Sequence, residues 1–204
     1  METILFDRNL RQWPIVNSEL YYERGVDDLP TYPRKQDWQD MVRGAYQVYL
    51  SGGYFAYYYS NTAWDLVKPD PEPPGMPRFQ VLKENLSALP YWRMEPKPEL
   101  AVGGPCLAIP GEVYAFYVLP APPRDGGTGG SPGPARRRPG GMSGATREIA
   151  VNLTALPGSA TVQWINTWTG DRADDKVDRP AVYQFNRPSS FGDAPALLIV
   201  RSKR

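Results

Sequence analysis

Glu19, Tyr21, Tyr22 and Glu23 concentrate the reactive chemistry of this 204-residue chain in one stretch, Trp13–Glu23, which reads WPIVNSELYYE. An ionised carboxylate can attack an electrophilic carbon, and a phenol within reach can hydrogen-bond that carboxylate and hold it charged and oriented. Tyr21 and Tyr22 are both placed for that part, and Glu19 is the candidate working carboxylate. The plainer alternative is that Glu19 is a solvated loop residue and the tyrosines pack in a core or rim. Glu23 has Arg24 and Arg43 as candidate ion-pair partners, which would make it structural. A second constellation is Asn61, Trp64 and Asp65. An indole face packs against the C–H face of a pyranose while a neighbouring amide and carboxylate bind hydroxyls, so these residues form a candidate sugar platform. A Trp packed under a loop at the rim of a fold fits the same pattern equally well.

Other chemistries are excluded by composition. The chain has no His and a single Cys, Cys106, so Ser/His and Cys/His nucleophile pairs, a zinc site and an internal disulfide are ruled out within it. Neither a metal nor a cofactor is expected. With 23 basic against 22 acidic residues the net charge is +1, and no overall field points to nucleic acid or an anionic membrane. No run of about 18 apolar residues is present to span a bilayer.

The elements that must position Glu19 follow from the pattern. Pro14-Ile15-Val16 has the length and β-branched content of a buried strand, and catalytic groups in parallel α/β folds stand at the carboxyl end of such strands. Residues 24–34 read as a loop. Residues 36–51 carry Trp38, Met41, Val42, Ala45, Tyr46, Val48 and Tyr49 on one helical stripe, stopped by Gly52-Gly53. Residues 54–59, YFAYYY, predict one buried strand, and the order strand, helix, strand makes it a parallel neighbour of the first. A second helix over 78–89 is marked by Phe79, Leu82, Leu86 and Leu89, with Pro90 behind it.

From about residue 96 the pattern changes to seven short apolar runs between turn signals: Leu100–Val102, Cys106–Ile109, Val113–Leu119, Glu148–Leu153, Thr161–Ile165, Val182–Phe185 and Ala196–Val200. These predict an antiparallel sandwich with Trp164 between its sheets. A Gly/Pro/Arg-rich stretch over about 120–146 reads as a disordered loop within it.

The ordered set of motifs resembles the carboxyl-terminal part of the apiosidase-like glycoside hydrolases, a (β/α)8 barrel followed by a β-domain labelled collagen-binding. The matching positions are Pro14, Ile15, Val16, Asn17, Ser18, Glu19, Tyr22 and Glu23, then the Ser51-Gly52-Gly53 helix end, Trp92 and Pro96, Trp164, Thr169-Gly170, and the last strand after Asp193. The resemblance implies an α+β chain: the last two β/α units of the barrel in residues 1–95, then a sandwich in 96–204. It implies a retaining glycoside hydrolase acting on plant or microbial polysaccharide, with Glu19 as nucleophile; Tyr22 and the Asn61, Trp64 and Asp65 platform are the candidate substrate-binding residues beside it. The parent protein would be secreted or periplasmic.

A whole barrel takes eight strand-helix units and about 250 residues. The expectation is therefore a fragment that lacks the acid/base carboxylate and is inactive alone, with an absent amino-terminal barrel segment as its natural partner. Three roles stand open for the sandwich: polysaccharide binding, collagen binding, or buttressing the helix that carries Leu82, Leu86 and Leu89. Residues 96–204 are expected to fold cooperatively alone, and residues 1–95 to be loosely ordered, aggregation-prone or dependent on a partner chain.

Overall fold

The two most continuous apolar strands, Val113–Val118 and Ala196–Ser202, lie side by side in the middle of one sheet, and this arrangement organises the molecule. Every residue of VYAFYV is buried, as are the first five of ALLIVRS. A strand apolar on both faces must be covered on both faces. The computed structural model describes residues 2–10, 13–20, 22–24, 36–59, 72–120 and 148–203. Most of the predicted 24–34 loop, the 120–146 loop beyond Pro120, and Asn61, Trp64 and Asp65 lie outside these residues.

In chain order the elements are α1 (Glu2–Leu10), β1 (Ile15–Asn17), β2 (Tyr22–Glu23), α2 (Trp38–Tyr49), β3 (Gly53–Phe55), β4 (Tyr58–Tyr59) and α3 (Met76–Ser87). The sandwich follows with β5 (Glu95–Pro96), β6 (Ala101–Val102), β7 (Cys106–Ile109), β8 (Val113–Val118), β9 (Glu148–Asn152), β10 (Ala160–Asn166), β11 (Arg172–Val177), β12 (Val182–Asn186) and β13 (Ala196–Ser202). Its sheets are six-stranded, in the order β11-β10-β13-β8-β7-β5, and three-stranded, β12-β9-β6, with antiparallel pairing throughout. Between them lies one core, with Tyr114, Phe116, Leu198 and Val200 facing Ile149, Val151 and Phe185. Trp164 belongs to it as expected, its ring edge-on to Phe185 at 6.4 Å.

The other face of the large sheet carries a second core. There Leu107, Ala115, Tyr117, Ile165, Leu197 and Ile199 meet Val42, Ala45, Tyr46 and Leu50 of the α2 region and Leu82, Leu86 and Leu89 of the α3 region. The layers are thus helices, large sheet, small sheet. Tyr46 stacks on Tyr117 at 5.1 Å with the rings nearly parallel. Asn85 of α3 accepts from Arg172 of β11 at 3.0 Å.

α2 forms where the apolar stripe places it. Asp37 caps it, accepting from the Asp40 amide at 2.8 Å, and Gly52 behind it has a φ of +78° that favours glycine. A Cβ on Gly52 would also meet Pro96 Cγ at 2.9 Å and Arg8 Nε at 3.0 Å. Arg8 donates to the Gly52 carbonyl at 2.9 Å and pairs with Glu95, which ties α1 to β5.

Four readings need correction. The Ile15–Val16 strand forms and pairs parallel to β3 as expected, yet it is not buried: Ile15 is half-buried and Val16 is 61% exposed, and among the described residues β3 is its one strand neighbour. Residues 54–59 are two short strands, not one buried strand, and they break at Ala56-Tyr57 where the Ala56 amide turns to the Asn17 carbonyl at 3.1 Å. β11, RADDKV, was not expected; it is an edge strand whose charges face solvent, so no alternation of apolar residues announces it. α1 was also missed, since Ile4 is its one residue buried in the core among those described.

Candidate functional site

β1 and β3 pair from Ile15↔Gly53 to Asn17↔Phe55, and β2 and β4 continue in the same parallel sense with Tyr22↔Tyr58 and Glu23↔Tyr59. Between the two paired segments, residues 18–21 intervene on one side and only residues 56–57 on the other. The longer excursion follows the carboxyl end of β1, and Glu19 lies on it, exposed.

Tyr22 returns from the start of β2 and donates its hydroxyl to Glu19 Oε1 at 2.7 Å. Its ring rests against that of Tyr58 at 5.0 Å, which restricts where the hydroxyl can point. The sequence left Tyr21 and Tyr22 as alternative partners of Glu19. Tyr22 makes that contact, and Tyr21 lies outside the described residues.

Glu23, next along β2, behaves oppositely to Glu19. It is 1% exposed, and its Oε2 accepts from Tyr57 Oη at 2.6 Å and from the Gly75 amide at 3.1 Å. Neither expected cation pairs with it. Arg43 reaches Asp40 at 3.4 Å, and the Arg24 guanidinium lies 5.7 Å over the Tyr59 ring. A carboxylate held by two donors needs no cation to remain buried. Burial, and next the hydrogen bond to Glu23, push the Tyr57 phenol above the usual tyrosine range, so it stays a donor.

Tyr57 and Gly75 are the site neighbours that sequence reasoning missed. One signal was available: Pro73-Pro74-Gly75 opens α3 without a capping side chain and without an acid in the first turn. A helix that begins so is open to an acceptor from elsewhere. At the end of β1, Asn17 Oδ1 is buried and finds no hydrogen-bond partner among the described residues. Among those residues no group of three or more His, Cys, Asp or Glu side chains could hold a metal ion, and no helix is long and apolar enough to cross a membrane.

No protein-family model and no curated protein matches the sequence. Among solved structures the chain is similar in fold to one described as a glycoside hydrolase, with a TM-score of 0.65 and 17% identity over 93% of this chain and 42% of that one. It is also similar to a glycoside hydrolase family 5 structure from Bacteroides vulgatus ATCC 8482, with a TM-score of 0.63 and 17% identity over 93% of this chain and 41% of that one. These two findings define the class: an α+β chain with the fold of part of a glycoside hydrolase structure. At such identities the likeness is one of fold, and the chain spans about two-fifths of the length of the structures it matches.

Proposed function

We propose that this chain contributes part of a carboxylate-based glycoside hydrolase site, with Glu19 as nucleophile and Tyr22 orienting it. The observation that supports this most directly is the 2.7 Å Tyr22–Glu19 hydrogen bond past the end of a parallel strand, in a chain of glycoside-hydrolase-like fold. An exposed, hydrogen-bonded carboxylate suits attack on an anomeric carbon through an oxocarbenium-like transition state. The retaining mechanism also needs a second carboxylate about 5–5.5 Å away as acid/base. Glu23 is unsuited to that role, being buried and engaged by Tyr57 and Gly75. In this reading the acid/base comes from further strand-helix units, residues 1–95 are barrel units, Asn61, Trp64 and Asp65 bind sugar, and the substrate is a plant or microbial polysaccharide.

Residues 1–204 alone should leave aryl glycosides intact. Supplied with the complementary strand-helix units, they should hydrolyse them, and Glu19→Gln should remove that activity. Hydrolysis by residues 1–204 alone would overturn the absent acid/base, and activity surviving Glu19→Gln would overturn the nucleophile.

For residues 96–204 as a sandwich domain, buttressing is the role we favour over ligand binding. It is supported by Leu82, Leu86 and Leu89 sharing a core with Leu107 and Leu197. A chain in which Asn61, Trp64 and Asp65 are all changed to Ala should accordingly pass through columns of insoluble polysaccharide and of collagen without retention, and its retention on either would favour a binding role for the sandwich.

A further inference from the structure

Strand β2 has two residues, so its own pairing does little to fix how it is rotated. Successive strand side chains point to opposite faces. Tyr22 therefore goes to Glu19 and Tyr58 while Glu23 goes inward to Tyr57 and Gly75. Any rotation that moves one side chain moves the other.

We infer that Glu23 is a positioning residue: by accepting from Tyr57 Oη and the Gly75 amide, its carboxylate fixes the rotation of β2 and so the placement of the Tyr22 hydroxyl on Glu19. The function this serves rests on the reading of Glu19 and Tyr22 as the working pair, but the geometry stands apart from it. The lock joins three separate pieces of chain, β2, the break between β3 and β4, and the start of α3. Gly75 leaves room for it and for little else, since a Cβ there would come within 2.5 Å of Glu23 Oε2. The carboxylate also sits where the amino-terminal end of α3 favours negative charge, and α3 supplies no acid of its own in its first turn. On the far side of β2 one backbone bond, from the Arg24 amide to the Gln36 carbonyl at 2.8 Å, positions the chain after Glu23 and leaves the direction of its side chain to the two donors.

The test uses the whole chain with 13Cζ-labelled tyrosine and needs no substrate. Tyr22→Phe assigns the Tyr22 resonance, and Glu19→Ala gives its position when the Glu19 bond is lost. Glu23→Leu, which removes the acceptor, and Gly75→Ala are each expected to move the resonance at least half of the way to that position. Tyr57→Phe, which removes one of the two donors, should move it less. Amides of Val113–Val118 and Ala196–Ser202 should keep their hydrogen-exchange protection in all three variants. An unmoved Tyr22 resonance in Glu23→Leu and Gly75→Ala overturns the inference. Lost protection in the sandwich strands also overturns it, because Glu23 would then hold the fold as a whole rather than the pair. Glycoside hydrolysis is not read, so failure of Glu19 as a nucleophile would leave this result intact.

Discussion

Strands β1 and β8 start from similar local material and end in different surroundings. Both combine apolar residues of high β propensity, yet every residue of β8 is buried while Val16 in β1 is 61% exposed. The difference lies in what covers them. β8 is third from one edge of a six-stranded sheet, with helices on one face and the small sheet on the other. Among the described residues β1 has one neighbour, β3, in a two-stranded sheet. Local composition selects the strand, and the number of layers around it decides burial. The candidate site sits in the thinly covered region, where side chains such as Glu19 remain accessible.

The comparison breaks most severely if the two regions are separated. Read from sequence, residues 96–204 should fold alone, because a sandwich buries its inner faces against each other. The structure argues otherwise, since the outer face of the large sheet bears Leu107, Ala115, Tyr117, Ile165, Leu197 and Ile199, all buried by or beside the helices. Exposing so contiguous an apolar face favours association. Isolated residues 96–204 are therefore expected to elute as oligomers and to bind ANS, whereas residues 1–204 do neither. A monodisperse, dye-free fragment with full hydrogen-exchange protection would restore the independent-domain reading.

Single substitutions sharpen the same contrast. Leu197 is fully buried beneath the helices, and Leu197→Ala removes packed methyl groups and leaves a cavity, at a cost of about 2–5 kcal/mol. Val16→Ala removes mostly solvated methyl groups and should cost no more than about 0.5 kcal/mol. Urea unfolding of the two variants measures both, and equal losses would mean that β1 is packed as tightly as β13.

How much of this was legible in the sequence differs between the same two regions. Each of the seven apolar runs contains a strand, although Leu100 falls in a 3-10 turn ahead of the two-residue β6. The stripe Met41, Val42, Ala45, Tyr46 and Val48 is buried as the helical period requires. That Glu19 and a following tyrosine could meet was also readable, because only three residues separate them. Glu23 was not readable. Its partners Tyr57 and Gly75 lie 34 and 52 residues away, and their contact depends on how β4 and α3 dock, which no local period encodes. The same applies to β11: Asp174, Asp175 and Lys176 are exposed at an edge, and the strand is defined by its pairing with β10.

The smallest effect concerns the Tyr46–Tyr117 stack that joins helix to sheet. Burial pushes both phenols well above the usual tyrosine range. In the unfolded chain a tyrosine loses its proton near pH 10. Folded protein keeps both protons at that pH while unfolded protein releases them, so the stability due to these groups is complete below about pH 10 and declines as the pH rises beyond it. Tyr46 Oη has no hydrogen-bond partner among the described residues, which makes its hydroxyl a buried polar group without compensation. Tyr46→Phe keeps the ring contact and removes that hydroxyl, so at neutral pH it should be neutral or stabilising by up to about 1 kcal/mol. It should also flatten the decline of the urea midpoint between pH 9 and pH 11, by removing one of the protons that unfolding releases. Destabilisation at neutral pH, together with an unchanged alkaline slope, would mean that the Tyr46 hydroxyl is satisfied in the folded protein and that the helix-sheet core is wetter at this point than the stack implies.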